Sequence, residues 1–274
     1  MRARTIGRVV GTAVGLGAAL WLLRAEDRRP LRSARQPRAR RQLTNLTLGA
    51  GSLVTAGLVQ THVLAPLLGR DAGRFGLVRT LPARLRPLAA FLLLDWAMYW
   101  WHRATHRIDA LWRLHRVHHV DVDLDMSTAI RFHAIDQIVS APMRIAMIVL
   151  IGPDARTHET WNRWFFANVL FHHTNVRLPY AAERWLSLVI TTPAMHGIHH
   201  MARRDLSDAN WTAGFSGWDR LHGSFRADLP ANAVHIGIAG YAAPVDTVAS
   251  LALPAASKAD DWPPDADEPT VIAR

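Results

Sequence analysis

Four apolar stretches punctuate the chain, with arginine-rich segments between them. Residues 9–23 carry no charge and follow Arg2, Arg4 and Arg8, and residues 43–69 contain only His62 as a titratable group. A third run, 87–101, holds a single acid, Asp95, and leads into His102. The fourth, 138–151, is interrupted by Pro142 and Arg144 and closed by Gly152-Pro153; an aromatic segment, 161–171, follows it. Runs of this length and composition predict membrane-crossing helices. The last two segments read as a helical hairpin dipping into the bilayer rather than as two full spans. No stretch alternates with period two for long enough to predict a sheet, and no internal repeat is visible. The predicted fold is an all-α integral membrane protein with about four transmembrane helices.

Charge refines the picture. Among 274 residues, 32 are basic and 22 acidic, for a formal charge of +10, and half are apolar. That apolar share excludes global disorder. The basic excess is almost entirely arginine and lies between apolar segments rather than beside stacking aromatics, so no nucleic-acid partner is expected. Residues 24–41 alone carry Arg24, Arg28, Arg29, Arg32, Arg35, Arg38, Arg40 and Arg41, which predicts a cytoplasmic loop. The second span then runs outward, the third returns, and Arg103, Arg107, Arg113 and Arg116 fall on the cytoplasmic side. Against this topology, the outer loop 70–86 holds Arg70, Arg74, Arg79, Arg84 and Arg86 against Asp71 alone. Residues 9–23 read as a retained anchor rather than a cleaved signal, because no small-x-small site precedes Arg24. The tail from about Pro254, rich in Pro, Ala and Asp, reads as a solvated, disordered end.

There is no cysteine, which leaves nitrogen and oxygen as the metal-binding atoms. The 15 histidines include three clusters: His102-x3-His106, His115-x2-His118-His119 and His196-x2-His199-His200. Residues three and four apart share a helix face, so each cluster is expected to aim two or three rings at one point. A lone histidine is more often a hydrogen-bonded surface residue than a ligand. Eight in three clusters are hard to pack without a metal, since buried neutral rings need partners and protonated ones repel. Structural zinc needs four ligands, so eight or more favour a dinuclear centre. Asp95, Tyr99, His102 and His106 follow one helical face at spacings of 4, 3 and 4. An acid inside an apolar span is a functional-site hypothesis by default, and Asp95 is expected to accept a ring N–H from a metal-binding histidine.

These motifs resemble the fatty acid hydroxylase / sterol desaturase superfamily of membrane di-iron oxygenases. The resemblance covers residues 95–224: Asp95…Tyr99-Trp100-Trp101-His102-Arg103…His106, then Leu111-Trp112-Arg113-Leu114-His115-Arg116-Val117-His118-His119. It continues through Ser127-Thr128-Ala129-Ile130-Arg131-Phe132-His133, Phe171-His172-His173-Thr174-Asn175-Val176 and Pro193-Ala194-Met195-His196…His199-His200. Asn210 and Gly217-Trp218-Asp219-Arg220-Leu221-His222-Gly223-Ser224 close it.

The resemblance implies a helical bundle with a cytosolic helical cap holding two irons, and O2-dependent hydroxylation or desaturation of a lipid or sterol-like C–H bond. An ether-cleaving lipid monooxygenase on the same fold, or a scaffold holding structural zinc, are the alternatives. By the resemblance the metal ligands are His102, His106, His115, His118, His119, His196, His199 and His200, joined by His133 and His173. His172 occupies a non-ligand position. Asp95, Tyr99, Asp136 and Asn175 are expected to support the ligands from behind. Ala134 and Asp136 stand where the family has proline and glutamate, His222 where it has an aromatic residue, and Met201 where it has a small polar one. Zinc competes well at imidazole sites, so purified protein can carry zinc in place of iron. The chain has no dinucleotide fingerprint, haem-attachment motif or cysteine cluster, so an external electron-transfer protein is expected. The sequence leaves the oligomeric state open. The divisions expected are 1–85 as anchor helices and basic loop, 86–235 as the catalytic domain and 236–274 as an extension, in the cytoplasmic membrane with the metal site facing the cytoplasm.

Overall fold

The computed structural model describes residues 15, 17–227, 235–258 and 261–262. They are helical throughout, and among them only three isolated bridges, and no strand, pair backbone to backbone. The expected anchor over 9–23 lies largely outside the described residues; α1 covers 17–28. Four long helices follow: α2 (Arg38–Gly69), α3 (Arg86–Arg107), α5 (Ala134–Ile151) and α6 (Ala155–His173), with α4 (Asp109–His119) between α3 and α5. At 32, 22, 18 and 19 residues they are about 48, 33, 27 and 28 Å long. Two of them, α2 and α5, are long and apolar enough to cross a membrane by length and composition. The hairpin expected over 138–171 is present as two helices, of 18 and 19 residues.

The long helices form two hairpins that start from the same end. α2 and α5 run side by side and parallel: Gly49 meets Ile130, Ser52 accepts a hydrogen bond from Gln137, and Val59 and Leu64 pack with Ala141 and Ile148. α3 and α6 run back. Leu94 and Ala90 near the start of α3 pack on Met147 and Ile151 at the end of α5 and on Trp161 near the start of α6. At that far end, Gly73 and Gly76 lie against Gly152, whose φ of 80° turns α5 into α6. A side chain at any of the three would collide with backbone. The arginines of loop 70–86 have structural work there: Arg79 donates to the Gly152 carbonyl, and Arg86 to the Leu81 and Arg79 carbonyls.

The opposite end carries every histidine cluster, on α3, α4, α6 and the short helix α8 (Pro193–His199), which follows α7 (Tyr180–Leu186). The arginine-rich loop 24–41 is folded onto this end. Asp121 and Asp125 hold the buried Arg41, and Asp123 accepts the backbone N–H groups of Arg35 and Gln36. Arg32 is buried too. Its guanidinium donates to the Pro193 carbonyl and fills the space that a side chain on Gly197 would need.

Residues 254–258 and 261–262, expected at the start of a disordered tail, are held against α4, while 259–260 and 263–274 lie outside the described residues. The reason is Arg116. Fully buried, it donates to the carbonyls of Leu253, Ala256 and Ser257 and pairs with the buried Asp261 at 2.8 Å. Breaking such a pair strands a charge without water. Arg116→Leu is therefore expected to cost about 3–5 kcal/mol, read as a lowered unfolding midpoint in detergent. Asp261→Asn should be milder, because Arg116 keeps its three carbonyls.

Candidate metal centre

The ten histidines expected as metal ligands divide into two groups of neighbours and one outlier. His102, His106, His115, His119 and His199 each offer a nitrogen to one group; His118, His173, His196 and His200 form the other. Within each group the offered atoms lie within 4.8 Å of one another. The H-x3-H pair on α3 serves one group, as helix geometry dictates. Each H-x2-H-H motif is split between groups, contrary to the expectation that it aims at one point. In α4, His115 and His119 are four apart and share a face, while His118 turns to the second group. In α8 the roles are exchanged: His196 and His200 share the second group and His199 turns to the first. The rings of His119 and His200 stack with centroids 4.2 Å apart, so the two groups abut.

The spacing of ring nitrogens tests whether a metal fits. The Nε2 atoms of His118 and His173 are 3.1 Å apart, those of His173 and His196 3.0 Å, those of His196 and His200 3.0 Å, and those of His106 and His119 3.1 Å. For metal–nitrogen bonds of about 2.1 Å, adjacent ligands of an octahedron lie about 3.0 Å apart and those of a tetrahedron about 3.4 Å. The observed spacing fits adjacent octahedral positions. His115 and His199 also keep a buried Nε2 with no hydrogen-bond partner, a costly arrangement unless a cation takes the lone pair. Burial lowers the pKa of His115, His118, His119, His196, His199 and His200 well below the ordinary value, assisted by neighbouring rings. The lone pairs are therefore free for metal at neutral pH.

The expected supporting residues do not touch these rings. Asp95 lies seven residues before His102, about 10 Å along the helix, and its Oδ2 accepts from Phe215 N–H and Trp218 Nε1–H at 3.0 and 2.9 Å. Tyr99 shares a hydrogen bond with Ser224, and Asn175 exchanges hydrogen bonds with the backbone of Arg32. Asp136 is buried on the wall of a cavity. His133 stands apart from both groups. It caps α5, with its Nδ1 accepting the Ile135 N–H at 3.1 Å.

Main-chain carbonyls orient the rings instead. His102 Nδ1 lies 2.6 Å from the Trp211 carbonyl, His199 Nδ1 2.9 Å from that of Ala209, and His173 Nδ1 2.7 Å from that of Val169. The loop supplying the first two is built by residues that the motif contained but whose role was not evident. Asp219 accepts the N–H groups of Trp211 and Thr212, and Asn210, at a φ of 51°, ties Met195 to Arg226. His222 fills its aromatic position as a ring: it stacks on Tyr99 at 4.8 Å and accepts from Trp96 Nε1–H. Met201 is buried among Leu124, Ile198, Leu206 and Ile236. His172, set aside as a ligand, is buried with its ring 4.0 Å from that of His196 and belongs to neither group.

Helical architecture and converging rings define a candidate dinuclear metal protein. The fatty acid hydroxylase family matches residues 87–224, half of the chain, and the chain belongs to that family. Alkylglycerol monooxygenase of Homo sapiens is 29% identical over 141 residues, 51% of this chain and 30% of the relative. That of Danio rerio is 31% identical over 137 residues, 50% of this chain and 29% of the relative. An ornithine lipid hydroxylase of Rhizobium tropici is 27% identical over 163 residues, 59% of this chain and 48% of the relative. The chain thus spans under a third of the two monooxygenases and about half of the lipid hydroxylase. No solved structure matches it significantly.

Two outcomes follow. Asp219→Asn should lower metal retention or activity about 10–100-fold by releasing the carbonyls behind His102 and His199, whereas Asp95→Asn should leave metal content unchanged; metal analysis of both variants checks this. Below about pH 6.5 the unfolded chain binds protons that the buried rings refuse. The metal-free protein should therefore lose stability as pH falls from 7 to 5, and metal should offset the loss at the neutral end; thermal midpoints with and without metal measure it.

Proposed function

We propose that this chain oxidises a C–H bond of a membrane lipid with O2, using two irons. His102, His106, His115, His119 and His199 would hold one, and His118, His173, His196 and His200 the other. The observation that carries this reading is the junction of both histidine groups with a cavity of about 440 Å³, the volume of a site for a lipid-sized molecule. His102, His115, His118, His173 and His196 form its inner end, and α2, α3, α5 and α6 its walls. Iron, when bound, supplies the O2 activation and oxidising power that no side chain has. The chain's own residues hold and orient the rings, and Met98, Trp101, Phe132, Phe165 and Val169 exclude water along the substrate's path. The cavity reaches the side of the bundle between α2 and α6, where its lining residues Leu53, Gly57, Asn162 and Phe166 are exposed. That opening faces the hydrocarbon if the four long helices span a bilayer.

All four spanning, with the histidine end as a cytoplasmic cap, is part of the proposal. It is supported by the arginine-rich loop 24–41 folded onto that end and by the carbonyl-bound Arg79 and Arg86 at the other. Residues 86–235 form the catalytic unit, 1–85 the anchor and 236–274 an extension; electrons come from an external donor. A second reading, oxidation of the carbon beside an ether oxygen, is favoured by the similarity to two alkylglycerol monooxygenases.

Anaerobic iron loading followed by oxygen-electrode assays tests both readings. About two irons per chain and lipid-stimulated O2 uptake are expected, with product mass separating hydroxylation from desaturation and ether cleavage. Two retained zinc ions, with no O2 uptake after iron loading, would leave a structural-metal scaffold.

A further inference from the structure

One charged residue of the sequence has no part in the metal centre: Arg144, which interrupts the apolar run of α5. It projects into the same cavity, on a helix otherwise apolar enough to cross a membrane. Among the described residues its guanidinium makes a single hydrogen bond, to Gln137 Oε1 at 3.2 Å, and no ion pair. The acid on the same wall, Asp136, lies within electrostatic reach of the guanidinium, but among the described residues no hydrogen bond or ion pair joins the two. Other polar groups line the cavity nearby. His158 and Asn162 come from α6 and Gln60 from a π-helical turn of α2. An ionisable side chain at such a place is costly, and it is kept where something pairs with it. A guanidinium with unpaired N–H groups matches a carboxylate or phosphate.

We propose that Arg144 binds an oxyanion carried by a single-chain lipid, with Gln60, His158 and Asn162 around it, and that the lipid's hydrocarbon runs from there to the histidine groups. This rests on the oxygenase reading only for what happens at the inner end. The distances fix a further property. His158 and His173 bound the cavity along α6, fifteen residues and about 22 Å apart, so the carbon presented to the metals lies far along the chain from the anion.

Binding without turnover tests the proposal independently of the chemistry. Hexadecanoate, hexadecyl phosphate and hexadecanol, radiolabelled, are compared on the purified zinc-loaded protein in uncharged detergent micelles. At least one anion should bind about ten- to hundredfold more tightly than the alcohol, the range expected for hydrogen bonds to a charged group. Whether hexadecanoate or hexadecyl phosphate binds more tightly identifies the oxyanion. Arg144→Gln should remove the preference while keeping hexadecanol affinity, and Arg144→Lys should retain part of it. Equal binding of all three by the unaltered protein overturns the proposal without recourse to a variant, as does a preference that survives in Arg144→Gln. An anion preference in a protein that consumes no O2 would sink the oxygenase reading alone. If iron-loaded protein oxidises hexadecanoate, oxygen at the second or third carbon also overturns this placement.

Discussion

Everything in this protein depends on keeping nine imidazoles, seven buried and two half-buried, neutral and aimed within a few ångströms of one another. Water would satisfy such rings easily, and the fold removes it. The cost of burial is met by geometry: nitrogens that face inward meet at 3.0–3.1 Å, and three that face outward sit against main-chain carbonyls. Carbonyls suit this role better than carboxylates would. They orient a ring and set its tautomer without adding charge to a dry region. Four helices and the loop 209–212 contribute, so the site can form only once the whole histidine end is assembled.

The arrangement explains why the basic loop is folded onto the histidine end rather than left in solvent. Asp121, Asp123 and Asp125 follow the second histidine cluster directly and hold Arg41 and the backbone of Arg35 and Gln36. Arg32 reaches the third cluster through Gly197, a position where even a methyl group would collide with the guanidinium. Two histidine motifs 81 residues apart in sequence are thereby linked to one loop, by charges that hydropathy alone would assign to solvent.

Much of this was legible in the sequence where the determinant is local. The three histidine clusters and the apolar runs rest on spacings of two to four residues and on composition. Helices cover the runs at 43–69, 87–101 and 138–151, while 9–23 lies largely outside the described residues. The split of each H-x2-H-H motif was not legible, because it depends on which faces of α4 and α8 meet. Asp95 is the instructive miss. Its place on the same helical face as His102 was read correctly, but seven residues of rise put it about 10 Å away, beside Phe215 and Trp218. His133 was matched by motif, yet its ring caps α5, a use that only the helix boundary shows. The hairpin expected over 138–171 is present as two helices, and Arg144, His158 and Asn162 are among the residues that interrupt its apolar pattern.

Those polar positions are lowered hydropathy with a purpose. Arg144 and His158 line the cavity and Asn162 lies at its opening, while the exposed pair Glu159–Arg163 keeps the outer face of α6 charged. The parallel pair α2 and α5 each carry a π-helical turn, Gln60–Leu64 and Met147–Ile151, near the far end. Such turns insert an extra residue into the helix and shift the face that follows. Here Gln60, Leu64 and Met147 on those turns line the cavity. The metal end demands dryness and the far end tolerates charge. A molecule with one apolar end and one polar end, as proposed above, would satisfy both.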